Sequence, residues 1–139
     1  MSCIAYKDRV LAGDTQSQVD DVVKHLDEIK VARRKGHLFG IAGDNMPPIE
    51  EAIKWYFNKE RKPYKEHEFD LLVVTPSASI HVYDNRGRCD NVQGTFYAIG
   101  SGRQFAIGAM ECGATSEQAV QAAIKWCPTV GGRVLTRKL

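Results

Sequence analysis

The four cysteines of this 139-residue sequence, Cys3, Cys89, Cys112 and Cys127, stand far apart with no CxxC pair among them. That spacing excludes a zinc ribbon and a disulfide framework and reads them as reduced packing residues. The four histidines, His25, His37, His67 and His81, have no metal-ligand spacing to one another either. No metal and no organic cofactor is therefore expected. No apolar run approaches the roughly 18 residues of a membrane span, and the start lacks a basic region followed by an apolar core. The expectation is a cytoplasmic protein without a membrane partner. Charge of one sign is scarce, the formal balance being +2, so no nucleic acid or other polyanion is expected as a partner. Repeats, low-complexity tracts and composition breaks are absent as well, and residues 1–139 read as a single domain. What is present is ordinary globular usage, 43% hydrophobic and 26% charged, in a chain long enough to bury its own core.

Short strands dominate the first part of the chain. "CIAY" and "RVLAGD" are apolar runs around Lys7-Asp8 and read as a hairpin. "IKVARR" and "HLFGIAG" repeat the arrangement with Lys35-Gly36 as the tight turn. The polar stretch between them, "TQSQVDDVVKHLDE", fits a loop or a short helix. In "DNMPPIEEAIKWYFNKE" the period changes: Asp44 or Asn45 can cap, two prolines open the first turn, and Ile49, Ala52, Ile53, Tyr56 and Phe57 share one face of a helix. "DLLVVTPS" and "SIHVYD" form a third hairpin, its first strand apolar enough for burial on both faces. "DNRGRCDNVQG" reads as a loop and "TFYAIGSG" as a strand ending at a glycine-flanked serine. Two helices follow. In the first, Phe105, Ala109 and Cys112 lie on one stripe. The second has a Thr115/Gln118 capping box and Ala119, Ala122, Ala123 and Trp126 facing inward. "GGRVLTRKL" closes the chain as a strand. This order implies helices layered on antiparallel sheets rather than a parallel βαβ fold.

One position bears on chemistry before any family is considered. Ser2 sits at the head of the first strand, and removal of Met1 would leave its hydroxyl beside a free α-amine. Such an amine, with a pKa of ~8, can serve as the general base for the hydroxyl of its own residue. Many sequences that begin Met-Ser use neither group.

The order and spacing of "SCIAY", "VLAGD", "IKV", "FGIAG", "AIGSG" and "GATSEQAVQAA" resemble the proteasome β-subunit family of N-terminal nucleophile hydrolases, and within it the bacterial HslV-type peptidase. The resemblance runs over most of the chain. It implies a four-layer αββα sandwich of antiparallel sheets, an α+β fold, and a threonine-type peptidase in which Ser2 takes the nucleophile's place. By the same resemblance, Asp14 matches the carboxylate that supports a catalytic lysine, and Lys30 matches that lysine. Gly40 matches the glycine whose N–H contributes to the oxyanion hole, and Ser101 the serine that hydrogen-bonds the terminal amine. Without it, Lys30 reads as a strand-edge surface lysine, Gly40 as a strand glycine and Ser101 as a helix cap. Cys3, whose side chain faces the opposite side of the strand from Ser2, reads as buried.

Two departures stand out. "CPTVGG" puts Cys127 where many relatives carry an aspartate, and the stretch from Pro47 to Glu60 supplies about one helix where relatives have two, so one helical layer is reduced. The implied partners are a peptide or unfolded-protein substrate, further copies of the chain in a ring, and an ATP-dependent unfoldase. The competing readings are a catalytically silent assembly or binding protein and a small-molecule amidase.

Overall fold

The structure is a computed structural model that describes residues 2–19 and 22–139. Hydrophobic alternation fixes its strands. β1 (Ile4–Lys7) and β2 (Val10–Asp14) pair antiparallel around Asp8 and Arg9, one residue later than the sequence suggests. Both turn residues are left-handed, with φ of 50° and 67°. The polar stretch after β2 is neither loop nor helix: β3 (Ser17–Val19) and β4 (Val22–His25) form a two-stranded ribbon of their own. Its β-branched valines favour extended backbone even where they are exposed.

β5 (Val31–Arg34) and β6 (His37–Asn45) form the second hairpin, with Lys35 and Gly36 at φ of 49° and 72° as its turn. The helix after it, α1 (Ile49–Phe57), is shorter than the span from Pro47 to Glu60 and is capped by Pro48 without a side-chain bond. Asp44 and Asn45 stay in β6, where Asn45 pairs with Glu68 and its amide donates to the Glu66 carbonyl at 3.1 Å. β7 (Glu68–Val74) and β8 (Ile80–Asp84) follow as expected, with Leu71 to Val74 all buried. The expected loop beyond them contains a further strand, β9 (Cys89–Asn91), on the edge of β8.

β10 (Phe96–Ile99), α2 (Arg103–Glu111), α3 (Ser116–Trp126) and β11 (Val134–Lys138) complete the chain. The capping box is formed: Thr115 Oγ1 accepts from the Gln118 N–H at 3.1 Å, and Gln118 Oε1 accepts from the Thr115 N–H at 2.9 Å. The helix phases differ from the expected ones. α2 buries Ala106 and Met110 while Phe105 and Cys112 are exposed, and in α3 Val120 joins Ala119 and Ala123 while Trp126 is 66% exposed. Alanine and methionine bring these helices closer to the sheet than Phe105 or Trp126 would allow.

Beside the β3–β4 ribbon, the described residues form two larger antiparallel sheets, one ordered β10-β1-β2-β11 and the other β5-β6-β7-β8-β9. Three apolar clusters hold the molecule together. Cys3, Ala5, Ala12 and Ala98 pack against α2 and α3. Ile4, Leu11 and Ile99 meet Leu38, Leu72 and Val74 of the other sheet. Phe39, Ile41 and Leu71 pack on Ile49, Ala52 and Ile53 of α1. Each fully buried Leu, Ile or Phe contributes about 1.5–3 kcal/mol. Together these elements make an α+β molecule with antiparallel sheets.

Candidate active site

Strand alternation separates the first residues of the chain. Cys3 enters the cluster under α2 and α3, Ile4 the cluster between the sheets, and Ser2 lines a cleft of about 1080 Å³. Ser2 is held through its backbone: its carbonyl accepts from the Gly102 N–H at 3.2 Å and from the Ser101 hydroxyl at 3.4 Å. Gly100 makes this approach possible. Its φ is +96°, and a Cβ there would stand 2.1 Å from the Ser2 carbonyl oxygen. The Ser2 hydroxyl faces the thioether of Met46, a weak acceptor, at 3.9 Å.

Behind the strand lies an ion pair with no exposed surface. Lys30 Nζ is 3.0 Å from Asp14 Oδ1, and both side chains are 0% exposed. The ammonium also donates to the Gln16 carbonyl. Asp14 Oδ1 accepts from the Cys3 N–H at 3.0 Å, and Oδ2 from the Gly131 N–H at 3.2 Å. Burial pushes the Asp14 carboxyl above its ordinary range, opposed by the Lys30 ammonium and then by these amides. Burial also pushes the Cys3 thiol up to about 12, assisted by the Asp14 charge, so at neutral pH it is a protonated packing group.

The structure thus brings Ser2, Asp14, Lys30 and Ser101 into one hydrogen-bonded region. Gly40 stands apart. It is absent from the cleft wall and packs against Ile4 and Leu11, where a Cβ would lie 2.3 Å from Ile4 Cγ2. The β6 glycine on the cleft wall is Gly43. Sequence reasoning missed Met46 and Gly131, which reach the site from distant segments with no local signal. It also left the partners of Cys127 open: this buried thiol lies 3.2 Å from Thr129 Oγ1. Met1, on whose removal the expected chemistry depends, lies outside the described residues.

The β7–β9 part of the cleft lining is acidic. Asp70 and Asp84 face each other across β7 and β8, and Asp90 lies beside them. Asp70 is exposed on its strand, and partial desolvation first, then the Asp84 charge, raises its pKa, with the Arg103 guanidinium opposing. Among the described residues no cluster of His, Cys, Asp and Glu is arranged to hold a metal, and no helix is long and apolar enough to cross a membrane.

No protein-family model and no curated protein matches the sequence. Solved structures do match. Thiobacillus denitrificans BPH in complex with epoxomicin aligns with a TM-score of 0.71 at 20% identity, over 99% of this chain and 97% of that one. A second structure of Thiobacillus denitrificans BPH gives 0.66 at 18%, over 99% and 96%. Eukaryotic HslV from Trypanosoma brucei gives 0.70 at 16%, over 98% and 97%. Likeness at these identities is likeness of fold. The chain has the α+β fold of HslV, over essentially its full length.

Two stability measurements test this geometry. Lys30→Met leaves a buried carboxylate without its cation and should lower stability by about 3–5 kcal/mol in urea unfolding. A loss under about 1 kcal/mol would show that the pair is not buried as described. Asp70→Asn removes one of two like charges directly opposed across a strand pair and should stabilise by a few tenths of a kcal/mol at pH 7. Because the Asp70 pKa is raised in the folded protein, the charged form is the strained one. The advantage should therefore shrink as pH falls through that raised pKa, and a constant advantage down to pH ~3 would contradict the assignment.

Proposed function

We propose that the chain is a cytoplasmic N-terminal nucleophile hydrolase that cleaves peptide bonds with Ser2 after Met1 is removed. The observation that carries this reading is the convergence of Ser2, Ser101 and the buried Asp14–Lys30 pair at one end of an HslV-like fold. In this reading the Ser2 hydroxyl attacks the substrate carbonyl carbon and its proton passes to the α-amine of the same residue. The C–N bond of the tetrahedral intermediate then breaks, the amine returns the proton to the leaving nitrogen, and an ester on Ser2 remains. Water, deprotonated by the same amine, hydrolyses that ester.

Lys30 places positive charge near the attacking group, and Asp14 holds it there while tying it to the Cys3 amide one residue from the nucleophile. Ser101 fixes the Ser2 carbonyl. The tetrahedral oxyanion is assigned to the glycine-bearing stretch of β6. Gly43 stands on the cleft wall there, while Gly40, the expected donor, lies deeper and serves the close approach of Ile4. The three apolar clusters support a four-layer αββα arrangement whose α1 side is a single helix. Assembly of copies into a ring, with an ATP-dependent unfoldase feeding peptide or unfolded protein, belongs to the same reading.

A catalytically silent assembly protein is favoured by two observations: Ser2 is 0% exposed, and Cys127 stands where the resemblance implies a carboxylate. Epoxomicin, the compound bound in the Thiobacillus denitrificans structure, separates the two readings. The enzyme reading expects one covalent adduct by intact mass and hydrolysis of a peptide substrate, both abolished in Ser2→Ala. Absence of adduct and hydrolysis in the unmodified chain, or their persistence in Ser2→Ala, would sink it.

A further inference from the structure

The hydroxyl of Ser101 does not reach Ser2 alone. Ser101 Oγ lies 2.7 Å from Thr129 Oγ1, and Thr129 Oγ1 lies 3.2 Å from Cys127 Sγ. These groups come from separate segments. Ser101 precedes α2, Cys127 caps the end of α3, and Thr129 sits in the turn leading to β11.

Counting protons fixes the direction of the chain. A carbonyl oxygen only accepts, so Ser101 spends its single hydroxyl proton on the Ser2 carbonyl, 3.4 Å away. Ser101 Oγ must then accept from Thr129, whose own proton is spent in turn. Thr129 Oγ1 is then left as an acceptor, and the single Cys127 S–H proton has two acceptors in reach, Thr129 Oγ1 at 3.2 Å and the Ser101 carbonyl at 3.9 Å. Donation runs one way from Thr129 through Ser101 to Ser2. A carboxylate at position 127 would be acceptor-only and would draw the Thr129 proton toward itself, leaving Ser101 without its donor. With a thiol there, a weak donor, the strong hydrogen bond that holds the Ser101 rotor is the one from Thr129.

We propose that Thr129 is a positioning residue for the reaction at Ser2: it orients the Ser101 hydroxyl so that the Ser2 carbonyl, and with it the nucleophile, is held in one place. This rests on the reading of Ser2 as the nucleophile. Thr129 bonds Ser101 and Cys127 and not Ser2 itself. Its effect passes through Ser101.

The test is steady-state hydrolysis of a peptide substrate by the full chain. Thr129→Val keeps the shape and removes the hydroxyl. It should lower kcat about 3–10-fold, the value of one neutral hydrogen bond, with KM and the thermal midpoint little changed. Thr129→Ser should restore the rate, and Thr129→Ala serves the same comparison if valine unfolds the turn. In a Ser101→Ala background Thr129→Val should have no further effect. The proposal is overturned if Thr129→Val matches the unmodified enzyme, if Thr129→Ser is as impaired as Thr129→Val, or if the Thr129 and Ser101 substitutions act additively. A Ser2→Ala control separates the two levels. If that control still hydrolyses, the nucleophile reading itself fails; if it is inactive while Thr129→Val is normal, only the role of Thr129 fails.

Discussion

A lysine ammonium with no exposed surface has to be paired, and the pairing of Lys30 with Asp14 is the constraint on which the site depends. Asp14 ends β2, Lys30 immediately precedes β5, and the same carboxylate takes the N–H of Cys3 at the head of the chain and of Gly131 ahead of β11. One side chain thus joins four segments that are distant in sequence. The Gln16 carbonyl takes a further donor of the ammonium, and the Lys30 carbonyl continues the β5–β6 ladder by accepting from Ile41 at 3.0 Å. The cost of burying both charges is offset only while this set of bonds is complete. The position of Cys3 and the placement of the buried charges are therefore set together.

The sheets supply the rest of the geometry. Alternation along the first strand sends Cys3 under the helices and Ile4 between the sheets, and leaves Ser2 at the cleft. Glycines set the close approaches: Gly100 admits the Ser2 carbonyl and Gly40 admits Ile4. A cleft opens where apolar residues give way to Asp70, Asp84 and Asp90 on the β7–β9 side of the second sheet, and the candidate nucleophile lines the same cleft. Like charges facing each other across β7 and β8 do not stabilise a sheet, so this wall is not explained by packing.

Much of the fold was legible because its signals are local. Lys35-Gly36 marks its turn by conformational preference, the Thr115/Gln118 box caps its own helix, and the run from Leu71 to Val74 shows a strand buried on both faces. Where packing rather than local preference decides, the reading fell short. The inward faces of α2 and α3 are small residues, so the larger Phe105 and Trp126 misled the choice of phase. The β3–β4 ribbon has no buried face to give a period, and its polar sequence looked like a loop. At the site, Asp14, Lys30 and Ser101 could be named only through the family resemblance, because nothing in "DEIKV" distinguishes a buried lysine from a surface one. Met46, Thr129 and Gly131 meet Ser2, Ser101 and Asp14 only through tertiary structure and carried no sequence signal.

All of the proposed chemistry requires a free amine on Ser2, which the intact chain's peptide bond to Met1 would abolish. The direct measurement is the intact mass and N-terminal sequence of the protein purified from cells. The account predicts a chain lighter by one methionine residue that begins at Ser2. A chain that retains Met1 in full would contradict it, whatever the geometry behind the first strand.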